Sequence, residues 1–223
     1  MSTHKSARQL LDIGVEKQLT TTSLFIKKHA NPDQLFRQIE SLHQSGQLSE
    51  ARKVIECVID SYHQLIQSAE FFILYAQVLF EDQATQKEIT AALQQSLFIE
   101  PENKKATDFL LLLKYQEELN DGLYAQGEQG LREMLEKEAW KAYTYYFLGH
   151  HLLWKNGPEN EAVQFLERSL ELKPRFLKAQ LDLALAYKKG QNMYKAHGAF
   201  TKCIEIDANE SNHDLYRRHL QSL

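Results

Sequence analysis

The sequence predicts an all-α protein built from helix-turn-helix repeats that stack one upon the next. Its 223 residues include only nine Gly and four Pro, and they are rich in Leu, Gln, Glu, Ala and Lys. That composition favours helix and leaves little material for turn-rich sheet structure. One spacing of small and large residues also recurs along the chain, which indicates units that bury their apolar faces against their neighbours.

The recurring spacing is clearest between residues 142 and 209. A quartet with spacings of four, three and five residues occurs there twice, and the second copy begins 34 residues after the first. The two quartets are Ala162, Leu166, Ser169, Pro174 and Ala196, Phe200, Cys203, Ala208. The signatures that precede them are Tyr145, Leu148, Gly149, Leu152 and Gln180, Leu183, Ala184, Tyr187. Small residues in this pattern let two antiparallel helices approach closely, while the large ones fill the gaps between them.

Both signatures resemble the tetratricopeptide repeat (TPR) family, whose unit of about 34 residues carries W-x₂-L-G-x₂-Y, then A-x₃-F and a proline. The resemblance implies a right-handed α-solenoid. The same spacing begins again upstream at Ala51, Ile89 and Gly127. We therefore predict five repeats, at about 33–65, 69–102, 104–140, 141–175 and 177–209. The offsets upstream exceed 34 residues, which predicts extended turns at 81–88 and 118–124.

The two ends of the chain lie outside this pattern. Residues 1–30 carry five Lys or Arg against Asp12 and Glu16, a charge of +3, which leaves −7 for the remainder of a chain of net charge −4. We interpret them as a basic helical segment that docks in or beside the acidic array as a resident ligand, or that forms a homodimer arm. We predict a capping helix over residues 210–223. Ser211 would be its N-cap, and Leu215 and Leu220 would face inward.

The sequence contains no motif for catalysis, a metal or a cofactor. H-E-x-x-H, C-x-x-C, G-x-x-x-x-G-K-[ST] and G-x-S-x-G are all missing. His150 and His151 are adjacent, but neighbouring side chains on a helix point about 100° apart, so the two cannot share a metal. We therefore predict a protein that is not an enzyme and uses no cofactor.

Charge and hydropathy limit the partners and the location. Basic pairs are scattered among acidic residues, which argues against nucleic acid. No apolar run reaches the length of about 18 residues that a membrane span needs. Cys57 and Cys203 are far apart in the sequence, and we interpret both as reduced thiols in a cytoplasmic protein.

The TPR resemblance implies that the first helix of each repeat lines a concave groove, whose free positions would contact a partner. These positions are Phe36, Ile73, Gln77, Phe80, Leu111, Lys114, Tyr143, Tyr146, His150, Leu153, Lys178, Leu181, Leu185 and Lys188. The carboxylate clamp known in this family is not expected, because Leu111 and Leu185 occupy two of its Asn positions and cannot donate hydrogen bonds. An alternative stays open, in which the aromatic side chains of this helix are interhelix core, namely Tyr143, Tyr146, Phe147 and Trp154.

The predicted function is that of a non-catalytic interaction module. A scaffold or chaperone of this kind would hold a peptide or helix of a partner protein in its apolar and aromatic groove. Two alternatives stay open. One is a chaperone similar to the TPR chaperones of type III secretion, and the other is a structural subunit that binds through its convex face or its ends.

Overall fold

The computed structural model describes residues 32–62, 67–155, 157–207 and 212–223. These residues form eleven α-helices and one short 3₁₀-helix, and no strand occurs among them. The predicted all-α class is therefore confirmed. The helix predicted within residues 1–30 and the N-cap at Ser211 lie outside the described residues. Among the described residues, no helix combines the length and apolar character needed to cross a bilayer.

The helices follow one another through short connections. Their bounds are α1 Pro32–Gln44, α2 Leu48–Tyr62, α3 Ala69–Glu81, α4 Gln86–Ile99, α5 Lys104–Asn120, α6 Tyr124–Met134, α7 Lys141–Trp154, α8 Glu159–Leu172, α9 Leu177–Lys189, α10 Met193–Ile206 and α11 His213–Gln221. The 3₁₀-helix Glu138–Trp140 leads directly into α7. Helices α1 to α10 pack as consecutive antiparallel pairs, and the second helix of each pair also packs on the first helix of the next.

The pair α7–α8 shows why small residues recur at fixed spacings. A Cβ atom added to Gly149 would lie 2.7 Å from Cγ of Leu166, so only glycine permits this helix approach. Ala162, Leu166 and Ser169 are fully buried. The Ser169 hydroxyl donates a hydrogen bond of 2.8 Å to the carbonyl of Ala142, which satisfies a buried polar group.

The prediction of extended turns at 81–88 and 118–124 is wrong. The connections there span only residues 82–85 and 121–123. The extra residues between Ile89 and Gly127 instead lengthen α5, which has 17 residues, and those between Ala51 and Ile89 belong to α2, which has 15 residues, and to the stretch between α2 and α3. Helix α6 lies close to α5 because Gly130 leaves room for the Tyr115 ring, which a Cβ atom would approach to 2.3 Å.

Helix α11 covers the apolar flank of the last pair. Tyr216 is buried, and Leu220 packs against the cluster that contains Phe200. The His219 ring stacks on the Phe200 ring with a centroid distance of 4.8 Å. The apolar face of α10 is therefore covered by the chain itself.

The first and last pairs touch across the concave side of the array. Gly46, in the turn between α1 and α2, has φ of +80°. A Cβ atom placed there would lie 3.3 Å from the carbonyl oxygen of Ile206, at the end of α10, and 3.5 Å from Nε of Arg175. The array thus curls until its two ends meet, which narrows the concave surface between them.

Candidate functional site on the concave surface

An aromatic cluster fills the centre of the concave surface. Phe80, at the end of α3, contacts the rings of Tyr143 and Phe147 edge to face, with centroid distances of 5.6 and 5.4 Å. It also lies 6.4 Å from Phe176, which precedes α9. These side chains come from three different helix pairs and are all buried. Edge-to-face contacts of this kind stabilise aromatic cores beyond the area that they bury.

Beside the aromatic cluster lies a buried carboxylate with three partners. Oε1 of Glu81 is 2.8 Å from Nε2 of His43 and 2.8 Å from Nζ of Lys173. The hydroxyl of Tyr143 donates a 2.5 Å hydrogen bond to the same oxygen. We call these four residues the polar centre. It joins the ends of α1 and α3 to α7 and to the residue that ends α8.

The environment of the polar centre fixes its protonation. Burial raises the pKa of Glu81, but the charge of Lys173 and the hydrogen bond and charge of His43 outweigh burial and lower it to about 2. Burial raises the pKa of Tyr143 well above its ordinary value, and the negative charge of Glu81 raises it further. At neutral pH, Glu81 is therefore an ionised acceptor and Tyr143 a neutral donor.

Part of the concave surface remains open towards the end of α7 and along α9. We define the open concave patch as His150, Trp154, Lys178, Leu181 and Leu185. The Trp154 side chain is 62% exposed, and its ring centroid lies 6.1 Å from that of His150. The other four side chains are partly exposed. The patch therefore offers a solvent-accessible aromatic ring next to two leucines on a rigid helix.

Two side-chain contacts hold the residues of the open concave patch in place. His150 Nδ1 lies 2.6 Å from Oδ2 of Asp182, which ties α7 to α9. Lys178 Nζ lies 4.2 Å from the centroid of the Phe80 ring, a cation–π contact. Burial lowers the pKa of Lys178 to about 8, although Glu81, Asp182 and Asp82 oppose this shift.

The fourteen residues predicted to line the groove divide by burial. Those covered by the rest of the chain are Ile73, Phe80, Tyr143, Tyr146 and Leu153. Those partly exposed are Phe36, Gln77, Leu111, His150, Lys178, Leu181, Leu185 and Lys188, and Lys114 is exposed. A partner that contacts the first group must displace other side chains. The burial of Tyr143 and Tyr146 agrees with the alternative in which they pack between helices.

Sequence reasoning missed three residues of this surface. Trp154 is absent from the predicted groove positions and enters only the interhelix-core alternative, although it lies four residues after His150 and therefore shares its helical face, which is a usable signal. Glu81 and Lys173 carried no signal, because their separation of 92 positions is bridged only by the curvature of the array.

The described residues include two cysteines and no cluster of metal ligands. Within the described ranges, no group of three or more His, Cys, Asp or Glu side chains is arranged to hold a metal ion. Cys57 and Cys203 are free thiols, and burial raises the pKa of Cys203 to about 12. A thiol with so high a pKa is a poor nucleophile at neutral pH.

The fold and the concave site define an all-α protein of stacked helix pairs. The family model described as tetratricopeptide repeat matches residues 142–176, which contain α8, the turn before it and all but the first residue of α7. The match falls on the fourth of the five predicted repeats. That the other four helix pairs are units of the same family, with the boundaries given above, stays a prediction.

Several solved structures are similar to this chain at low identity. MamA 41-end from Desulfovibrio magneticus RS-1 is 14% identical over 80% of this chain and 96% of its own, with a TM-score of 0.41. YrrB, described as a TPR protein with an unusual peptide-binding site, is 16% identical over 93% and 99%, with a TM-score of 0.43. The yeast Sti1 TPR2AB domain in its pHSP90 complex is 14% identical over 93% and 89%, with a TM-score of 0.44. No curated protein sequence matches the chain significantly.

Proposed function

We propose that this chain is a non-catalytic protein-interaction module that binds an apolar peptide or helix of a partner protein on the open concave patch. The observation that carries the proposal is Trp154, a large aromatic side chain left 62% exposed beside His150 and α9. Exposed aromatic anchors on rigid elements contribute much of the binding energy in protein interfaces. The tetratricopeptide repeat at residues 142–176 supports the same assignment.

The charge around the patch favours a partner segment with acidic residues next to its apolar anchor. Lys178 and Lys188 flank Leu181 and Leu185 on α9. The Lys188 ammonium donates a 2.6 Å hydrogen bond to the hydroxyl of Ser222. A carboxylate of the partner would gain a charge-assisted contact there in place of a neutral acceptor. A scaffold or a chaperone would use such a patch in the same way, by holding an exposed segment of another protein.

The test is binding of fluorescent peptides that combine an aromatic or leucine anchor with acidic flanks. Replacing Trp154 by Ala is expected to weaken binding by about tenfold or more, because truncation of an interface anchor typically costs about 2 kcal/mol. Tyr194→Ala is the matched control, since Tyr194 is 91% exposed on α10. Equal affinities for the two variants would contradict the proposal.

Tryptophan fluorescence gives a second measurement on the unmodified chain. Trp140 is 1% exposed and donates its indole N–H to the carbonyl of Lys105, whereas Trp154 faces solvent. Acrylamide should therefore quench mainly Trp154, and a bound peptide should protect it. Peptide binding that leaves the quenching unchanged would place the site elsewhere.

A structural subunit that binds through its convex face is the second candidate. The observation that favours it is Phe98 of α4, which is 83% exposed on the other side of the array. Partner binding would then survive Trp154→Ala and be lost in Phe98→Ala. No feature of the described residues favours the type III secretion chaperone over a general interaction module.

A further inference from the structure

A second apolar surface lies between α2 and α4, with α3 as its floor. This outer groove has a volume of about 760 Å³. Ile59 of α2, Phe72 of α3, and Phe98 and Ile99 of α4 line it. Phe98 is 83% exposed, so a large aromatic side chain faces an open groove instead of packing. A contiguous apolar surface of this kind commonly marks a binding site.

The mouth of the outer groove, where α2 and α4 end, carries two acidic residues next to its lining. Asp60 follows Ile59 near the end of α2, and Glu100 follows Ile99 at the end of α4; both are exposed, and Glu100 accepts a 2.7 Å hydrogen bond from the Asn103 amide. At the other end of the outer groove, the Arg52 guanidinium donates hydrogen bonds of 2.8 Å to Glu56 and 2.9 Å to Glu88. The acidic charge at that end is therefore already paired. The groove therefore suits an apolar segment that is followed by basic residues at the mouth.

The helix directions bring the N-terminal part of the chain to this mouth. Because the helices run antiparallel, the start of α1 lies at the same edge of the array as the end of α2, the start of α3 and the end of α4. Pro32 begins α1 at that edge. The distance from α1 across α2 to α4 is about 20 Å at usual interhelix distances. Six residues of extended chain also span about 20 Å.

The residues just before α1 have the composition that the outer groove requires. The sequence reads Leu24, Phe25, Ile26, Lys27 and Lys28, which is an apolar triplet followed directly by two lysines. Ile26 is six residues before Pro32, so the triplet is within reach of the groove while the lysines reach its acidic mouth. The charge of +3 on residues 1–30 also opposes the −7 of the remaining chain.

We propose that residues 24–28 dock in the outer groove of their own chain. Phe25 and Ile26 enter between Phe72 and Phe98, and Lys27 and Lys28 contact the carboxylates of Asp60 and Glu100. This occupant is distinct from any partner on the open concave patch, and the inference does not rest on the proposed function. It gives the Phe98 ring, which is 83% exposed, an apolar partner from the same chain.

The test is photo-crosslinking in the full chain. Phe98 is replaced by p-benzoylphenylalanine, which preserves the ring, and in a control protein Tyr194 is replaced in the same way. Mass spectrometry of the irradiated proteins is expected to find products between position 98 and residues 24–28, and none from position 194. Equimolar ¹⁵N-labelled and unlabelled chains are mixed before irradiation, and the products should join residues of one chain only.

Other outcomes overturn the proposal. Products that join labelled to unlabelled chains would mean that a second copy occupies the groove. Products confined to residues 63–66, which link α2 to α3, or no product at all, would mean that residues 24–28 lie elsewhere. Products of equal yield from positions 98 and 194 would mean non-specific contact.

A second variant tests the chemistry of the segment. Phe25→Ser combined with Ile26→Ser removes the apolar anchors, and the crosslink from position 98 is expected to fall about tenfold or more. Leu10→Ser combined with Leu11→Ser is the matched control in the same N-terminal part and should leave the yield unchanged. Circular dichroism should show that both proteins keep their helical content. An undiminished yield in the first variant overturns the proposal.

Discussion

The closed centre and the open end of the concave surface use equivalent repeat positions in opposite ways. In the centre, Phe80 and Tyr143 are buried by residues from three helix pairs, and Glu81 binds three partners. Towards the end of α7, Trp154 occupies the same helical face and is exposed. The difference shows that a groove position becomes core or binding surface according to what the curvature brings opposite it.

The largest effect is expected from Phe80→Ala. Phe80 contacts five other aromatic rings, so its truncation leaves a cavity and should lower the free energy of unfolding by about 5 kcal/mol. Trp154→Ala should change it by less than about 0.5 kcal/mol, because an exposed side chain stabilises little. Urea unfolding followed by circular dichroism measures both. Similar losses in the two variants would contradict the distinction between a closed centre and an open end.

The next effect concerns the polar centre. Glu81→Gln leaves the ammonium of Lys173, whose side chain is only 23% exposed, without its counter-charge, which should cost about 4 kcal/mol. Glu171→Gln breaks an ion pair with Arg168 whose side chains are both more than half exposed, and it should cost less than about 1 kcal/mol. The comparison uses the same urea unfolding experiment. A Glu81→Gln protein as stable as the control would mean that the polar centre does not hold the helix pairs together.

Acid is expected to have a smaller effect on the free energy of unfolding. Because the pKa of Glu81 is lowered from 4.5 to about 2 in the folded protein, its ionised form stabilises the fold above pH 4.5, and that stabilisation is lost as the pH falls towards 2. The wild type should therefore lose about 3 kcal/mol more than Glu81→Gln over this range. Unfolding midpoints measured at intervals between pH 6 and pH 2 report the difference. Parallel curves for the two proteins would show that Glu81 has an ordinary pKa.

Packing within a helix pair could be predicted from the sequence. Gly149, Ala162 and Ser169 have fixed spacings because two antiparallel helices meet at every turn. The helical period therefore determines which residues face the neighbouring helix. Leu220 in the capping helix was identified in the same way, from the apolar flank that it covers. The residues that follow a helical period are therefore the ones that sequence reasoning places well.

Contacts between distant pairs could not be predicted. The curvature of an array is the sum of small rotations between neighbouring pairs, and the sequence pattern within one pair does not specify that sum. The meeting of His43 with Lys173, and the burial of Tyr146, depend on it. The extra residues of the third pair were assigned to turns, but they lengthen α5. The distance between two repeat signatures gives the number of added residues and not the element that contains them.

The contact of Gly46 with Ile206 has a consequence for how the molecule unfolds. Linear repeat arrays lose their units piecemeal from either end, since each unit is stabilised only by its immediate neighbours. Where the turn of the first pair rests on the end of the fifth, fraying at one terminus removes support from the other. The chain should accordingly unfold as one cooperative body, and deleting its final helix pair should destabilise the first pair as well as the fourth.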